Sequence, residues 1–92
     1  MKIRHHMDAI PLTNVILDIL DDMPKLDTYE CDVYHTGFSD MLSFSRRFSV
    51  KFTITVNDII TINRRIDNKN VAKLDYIDPN FIEQLISVIN KI

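Results

Sequence analysis

The stretch RRFSVKFTITVNDIITINRRI, from Arg46 to Ile66, decides how this chain folds. Phe48, Val50, Phe52, Ile54 and Val56 alternate with Ser49, Lys51, Thr53 and Thr55, the period-two pattern of a strand with one buried face. β-branched and aromatic residues fill it, as a pleated half-buried surface favours. Asn57-Asp58 supplies a turn, and Ile60, Ile62 and Ile66 alternate on the return strand. A two-residue loop would set Val56 against Ile59 and Ile54 against Thr61, putting apolar side chains opposite polar ones. One more residue in the loop pairs Val56 with Ile60, Ile54 with Ile62 and Val50 with Ile66, so the apolar faces agree. The predicted connection is therefore a three-residue loop or a bulge at Ile59, where positive φ would be costly for a β-branched residue.

The same register orders the polar face. Lys51 falls opposite Arg65, Thr53 opposite Asn63, Thr55 opposite Thr61, and Arg47 opposite Lys69 if the ladder runs that far. Arg64 falls at an apolar-facing position beside Phe52, where its stem can lie along the sheet margin.

Outward from the hairpin, residues 1–7 read as a flexible or tag-derived tail, and residues 8–92 as a single domain. His5-His6 is a poor chelate, since no other ligand cluster accompanies it. A first helix is predicted over Asp8–Met23, with Leu12, Val15, Ile16, Ile19, Leu20 and Met23 on its apolar face and Thr13 opposite. Pro11 suits its first turn and Pro24 stops it. Asp21 and Asp22 sit at the wrong end for the macrodipole and form an acidic knob, a candidate contact for a basic partner. Tyr29–His35 alternates as a strand, which points Cys31 inward. His35 has no serine or second histidine at a spacing that would make it a catalytic base. Thr36–Ser45 is too apolar for a free loop; Phe38, Met41, Leu42 and Phe44 either cover a core edge or form a partner-binding patch. Asp67–Asn70 reads as a polar turn, Val71–Ile77 as a short strand, and Asp78-Pro79 as the start of a final helix.

The predicted fold is thus α+β, in the order α-β-β-β-β-α. It has an antiparallel sheet built on the long hairpin, with both helices on one face.

Composition narrows the function classes. Ninety-two residues with a formal net charge of −2 make one small domain that buries roughly 60–65% of its unfolded surface. One cysteine excludes an internal disulfide framework and fits a reducing compartment, read as cytoplasmic. No stretch could span a bilayer. The single glycine excludes a glycine-rich phosphate loop. Asp58 and Asp67-x-Lys69 imitate a metal-dependent nuclease pattern, but the hairpin sets the two carboxylates some 30 Å apart, too far to share an ion. No CxxC, HExxH or GxSxG occurs, and no cofactor or metal is expected.

Charge, in contrast, is uneven. Met7 to Asp40 holds eight acids and one base, whereas Met41 to Lys73 holds seven bases and two acids. Heavy use of isoleucine, asparagine and aspartate leans toward an AT-rich coding genome, such as that of a virus, phage or low-GC bacterium. The favoured expectation is a non-enzymatic protein-binding module of inhibitor or adaptor type, by class-level analogy with small phage proteins that act on host proteins. The alternative is nucleic-acid binding through a basic stripe of Arg47, Lys51, Arg65 and Lys69. Homodimerisation, through a strand edge or the last helix, is compatible with either.

Overall fold

A computed structural model describes residues 1–92. Its strands are β1 (Lys2–His5), β2 (Glu30–Thr36), β3 (Ser39–Arg46), β4 (Ser49–Val56), β5 (Ile60–Arg64) and β6 (Lys69–Leu74). Helix α1 (Pro11–Asp21) and a short 3-10 turn (Pro24–Leu26) lie between β1 and β2, and α2 (Phe81–Lys91) follows β6. The strands lie side by side in chain order, antiparallel throughout except that β1 runs parallel to β2. The fold is α+β, and both helices contribute to one core on one face of the sheet.

The β4–β5 hairpin has the register expected from its alternation: Val56 faces Ile60, Ile54 faces Ile62, and Phe52 faces Arg64. Its loop is Asn57-Asp58-Ile59, and Ile59 keeps a negative φ, so the feared backbone strain is absent there. Inward-facing rows cross the whole sheet. One joins Val33, Leu42, Ile54, Ile62 and Ala72; the next joins Asp40, Val56, Ile60 and Leu74. From α1, Ile16, Leu17 and Leu20 close over them, and from α2, Phe81, Leu85 and Ile89. Lys25 Nζ–H donates to the carbonyls of Ile89 and Asn90 at 2.9 and 3.0 Å, placing a cation at the negative end of α2.

Several expectations need correction. Residues Lys2–His5 are no tail but an edge strand, held by Arg4, which bridges Asp32 at 2.9 Å and Glu30 at 3.1 Å. Thr36–Ser45 is mostly strand: Gly37 (φ 63°) and Phe38 close a tight β2–β3 turn, with Leu42 and Phe44 buried but Phe38 and Met41 exposed. Helix α1 is shorter than Asp8–Met23, and its buried face is rotated, covering Thr13 and Leu17 and leaving Val15 half exposed. Strand β6 starts and ends earlier than Val71–Ile77, because the Asp75 carboxylate accepts the Ile77 N–H at 2.9 Å and turns the chain. Asp78 likewise accepts the Asn80 N–H at 2.8 Å, so Asp78-Pro79 forms a turn ahead of α2 and does not cap it.

The largest correction concerns Phe48. A bulge between Phe44 and Ser45 leaves Lys51 unmatched, and β3 and β4 are joined by a two-residue turn at Arg47-Phe48. Both residues take positive φ, 54° and 65°, as the hairpin turns matching strand twist require. Phe48 therefore leaves the core pattern and stands fully exposed. Arg47 and Phe48 carry the steric cost that glycine or asparagine would avoid, of order 1 kcal/mol each.

Candidate binding surface

Strand direction sorts the charges. Where β3 turns into β4 and β5 into β6, the meander collects Arg46, Arg47, Lys51, Arg64, Arg65 and Lys69. Asp67 is the one acid in these turns, and Arg64 takes it at 2.6 and 3.1 Å. The other five cations have no ion-pair partner. At the opposite end, Asp40, Asp58, Asp75 and Asp78 dominate. This axis of charge comes from strand direction and not from the order of charges along the chain, since of these four acids only Asp40 belongs to the acid-rich Met7–Asp40 segment.

The four predicted basic positions are gathered at one end; they do not form a stripe across the sheet. Lys51 and Arg65 are neighbours, with the Arg65 N–H donating to the Lys51 carbonyl at 3.1 Å. Together with Ser49, Val50 and Ile66 they line a shallow depression of about 420 Å³. Lys69 pairs across the sheet with Arg64, not Arg47. Arg47 faces the other way, toward Thr28, in a second depression that also includes Arg46. Asp21 and Asp22 end α1, on the β1–β2 side of the same end, where Asp21 lies 3.6 Å from the Met1 amino group. Phe48 and Ile66, both exposed, stand in the β3–β4 and β5–β6 turns among the cations. The Phe48 contribution was hidden because the Arg-Arg-Phe-Ser tetrapeptide lacks the glycine or asparagine that normally signals a turn.

The open face of the sheet is nearly neutral. One row runs Arg4, Asp32, Ser43, Thr53, Asn63 and Asn70. Its acids belong to the Arg4 cluster, where His6 also contacts Asp32 at 3.1 Å and stacks on Tyr34 with ring centroids 4.4 Å apart. The Arg4 hydrogen bond holds the Asp32 carboxyl down at about 2; Arg64 does the same for Asp67, also at about 2.

A second titratable cluster lies at the acidic end. His35 and Asp40 are cross-strand partners on the inward face, and His35 Nδ1–H donates to Asp40 Oδ1. Asp40 is 0% exposed, and its Oδ2 accepts the Ile10 N–H at 2.9 Å at the start of α1. Burial alone would raise the Asp40 pKa, but the Thr13 hydroxyl, His35 and the Ile10 N–H outweigh it and hold it below the ordinary carboxylate range. Thr13 Oγ1 lies outside ordinary hydrogen-bond geometry, so its effect is that of a nearby dipole. An aspartate orienting a histidine resembles part of a hydrolytic triad, yet no serine or cysteine hydrogen-bonds the His35 ring; the pair ties the β2–β3 hairpin to α1. Cys31 is buried beneath the sheet, and burial pushes its thiol up to about 12, which keeps it protonated and unreactive at neutral pH. No three His, Cys, Asp or Glu side chains converge to hold a metal ion. Asp58 and Asp67 stand in turns at opposite ends of β5. No helix is long and apolar enough to cross a membrane.

Comparison with protein-family models, curated proteins and solved structures found no match.

The lowered carboxyls set an acid limit on stability. Asp32, Asp67 and Asp40 all bind protons less readily in the folded chain than the unfolded value of about 3.9. Their stabilisation is complete above that value and is lost as pH falls toward 2. The urea midpoint is expected to hold steady from neutral to about pH 5 and to fall below about pH 4. Arg4→Ala should flatten part of that fall. A midpoint that rises on acidification would contradict the assignment.

Proposed function

We propose that this chain is a non-enzymatic binding module of inhibitor or adaptor type that holds an acidic surface of a partner protein. The observation carrying this reading is the cationic end of the sheet: five cations without ion-pair partners beside the exposed Phe48 and Ile66. Arginines flanking an exposed aromatic are the composition of an interface hot spot. Unpaired surface cations favour an oppositely charged partner and speed the encounter. Small size and the AT-leaning composition support the kind of protein that a virus or phage directs at a host protein. The buried free thiol supports action in a reducing compartment such as the cytoplasm.

Nucleic acid is the second reading, favoured by Phe48, which offers the stacking surface that the sheet's polar face lacks. It ranks lower because Val50 and Ile66 are aliphatic and the open face presents neutral Ser, Thr and Asn side chains.

The β3–β4 turn provides a test in which stability and binding move in opposite directions. Phe48→Gly relieves the left-handed strain and is expected to raise stability by about 1 kcal/mol. Binding to an acidic partner peptide should weaken about tenfold, as expected for loss of a central aromatic anchor. Urea unfolding and a peptide titration on the same sample measure both. Unchanged affinity would remove Phe48 from the interface.

A further inference from the structure

Arg46 ends β3 with its guanidinium carbon 5.3 Å from the centroid of the Tyr29 ring. Its Nε is buried and has no acceptor. A buried donor without a partner is rare in a folded protein and marks a place where an acceptor belongs. Arg47 follows it in the left-handed turn, and Thr28 faces both from the connector before β2. These three residues alone line a depression of about 310 Å³. Neither arginine has an acidic partner. Glu30 lies on the neighbouring rim, but Arg4 engages its carboxylate at 3.1 Å.

We infer that this depression is a seat for a phosphomonoester dianion carried on a side chain of the partner protein. The inference rests on the proposed function for the bearer of the group, not for the seat itself. Two guanidinium charges match the charge of roughly −1.5 to −2 on such a group at neutral pH, whereas a carboxylate would balance only one of them. The fork of each guanidinium and the Thr28 hydroxyl can serve the three terminal oxygens of a phosphoryl group. Phe48, beside the depression, offers an apolar flank for the residue next to the phosphate.

The test follows side-chain Nε–H resonances of the full-length ¹⁵N-labelled protein during titration with phenyl phosphate, with benzoate as the carboxylate counterpart. The Arg46 Nε–H signal should shift saturably with phenyl phosphate, and benzoate should bind about tenfold more weakly. Arg47→Gln, in an exposed turn, should weaken phenyl phosphate by about tenfold. A peptide carrying phosphotyrosine should bind more tightly than phenyl phosphate. Equal shifts at every arginine, or no preference over benzoate, would overturn the seat. A phosphopeptide no tighter than phenyl phosphate would overturn its protein origin. Acidic peptides that bind while phenyl phosphate leaves the Arg46 signal unmoved would sink the seat alone. Saturable phenyl phosphate with no binding of any acidic or phosphorylated peptide would retain the seat and sink the partner reading.

Discussion

Phe52→Ala is expected to lower stability by about 3–5 kcal/mol, the range for truncating a buried phenylalanine. Phe52 is 1% exposed and faces Phe44 across β3 and β4. The two rings stack with centroids 4.5 Å apart and an interplanar angle of 7°. Tyr29 meets Phe52 from the side at 5.9 Å, tilted by 56°. Truncation would therefore remove one ring from a three-ring cluster whose other members, Phe44 on β3 and Tyr29 just ahead of β2, are held by separate segments and cannot both collapse into the gap. A domain of this size has a total stability of only about 5–15 kcal/mol, so the variant should approach the folding threshold. Phe52→Leu keeps most of the volume and should cost much less. Urea unfolding followed by circular dichroism measures both variants. A loss under about 1 kcal/mol for Phe52→Ala would show that the stacked pair is not part of the core.

Asp40→Ala should be nearly as damaging, at about 3 kcal/mol. The carboxylate is the acceptor for both the His35 ring and the Ile10 N–H. Removing it leaves both the helix-entry amide and the His35 ring N–H without their acceptor. Asp40→Asn can still accept from one of the two donors and should fall between wild type and alanine. The same measurement contains a check on mechanism. Asp40→Ala should abolish part of the loss of stability on acidification, because the carboxyl responsible for that part is gone. Equal stability of Asp40→Ala and wild type would mean that the His35–Asp40 pair does not hold α1 to the sheet.

Neither Asp40 nor the β1 strand was legible in the sequence, and each for a physical reason. Aspartate normally marks a solvent-facing position, so Asp-x-Leu-x-Phe at 40–44 does not read as a buried face until His35 is placed opposite it. Lys2–His5 has no apolar alternation, and its strand character comes from Arg4 bridging to Glu30 and Asp32, far along the chain. The β4–β5 hairpin was legible because six apolar positions could align in only one register. The Arg47-Phe48 turn defied reading from the other direction: Phe48 continues the alternation perfectly, and only the bulge beside Ser45 expels it. The basic set Arg47, Lys51, Arg65 and Lys69 was legible from charge alone, but its geometry was not. A stripe assumes one uninterrupted ladder, whereas the turns divide the cations into an Arg47 group near Thr28 and a Lys51–Arg65 group near Ile66.

The most direct test of the cationic end is selection from a displayed peptide library on the folded full-length chain. The enriched peptides are then titrated against wild type and Lys51→Glu with Arg65→Glu. The expected result is enrichment of acidic peptides containing an apolar residue, with affinity falling about tenfold or more in the reversed variant and with rising salt. Circular dichroism should show both proteins equally folded. Enriched peptides without net negative charge, or affinity indifferent to the reversal, would contradict the cationic end as the binding surface. Single- and double-stranded DNA and RNA run alongside, and tight binding of these at near-physiological salt in place of any peptide would transfer the surface to nucleic acid.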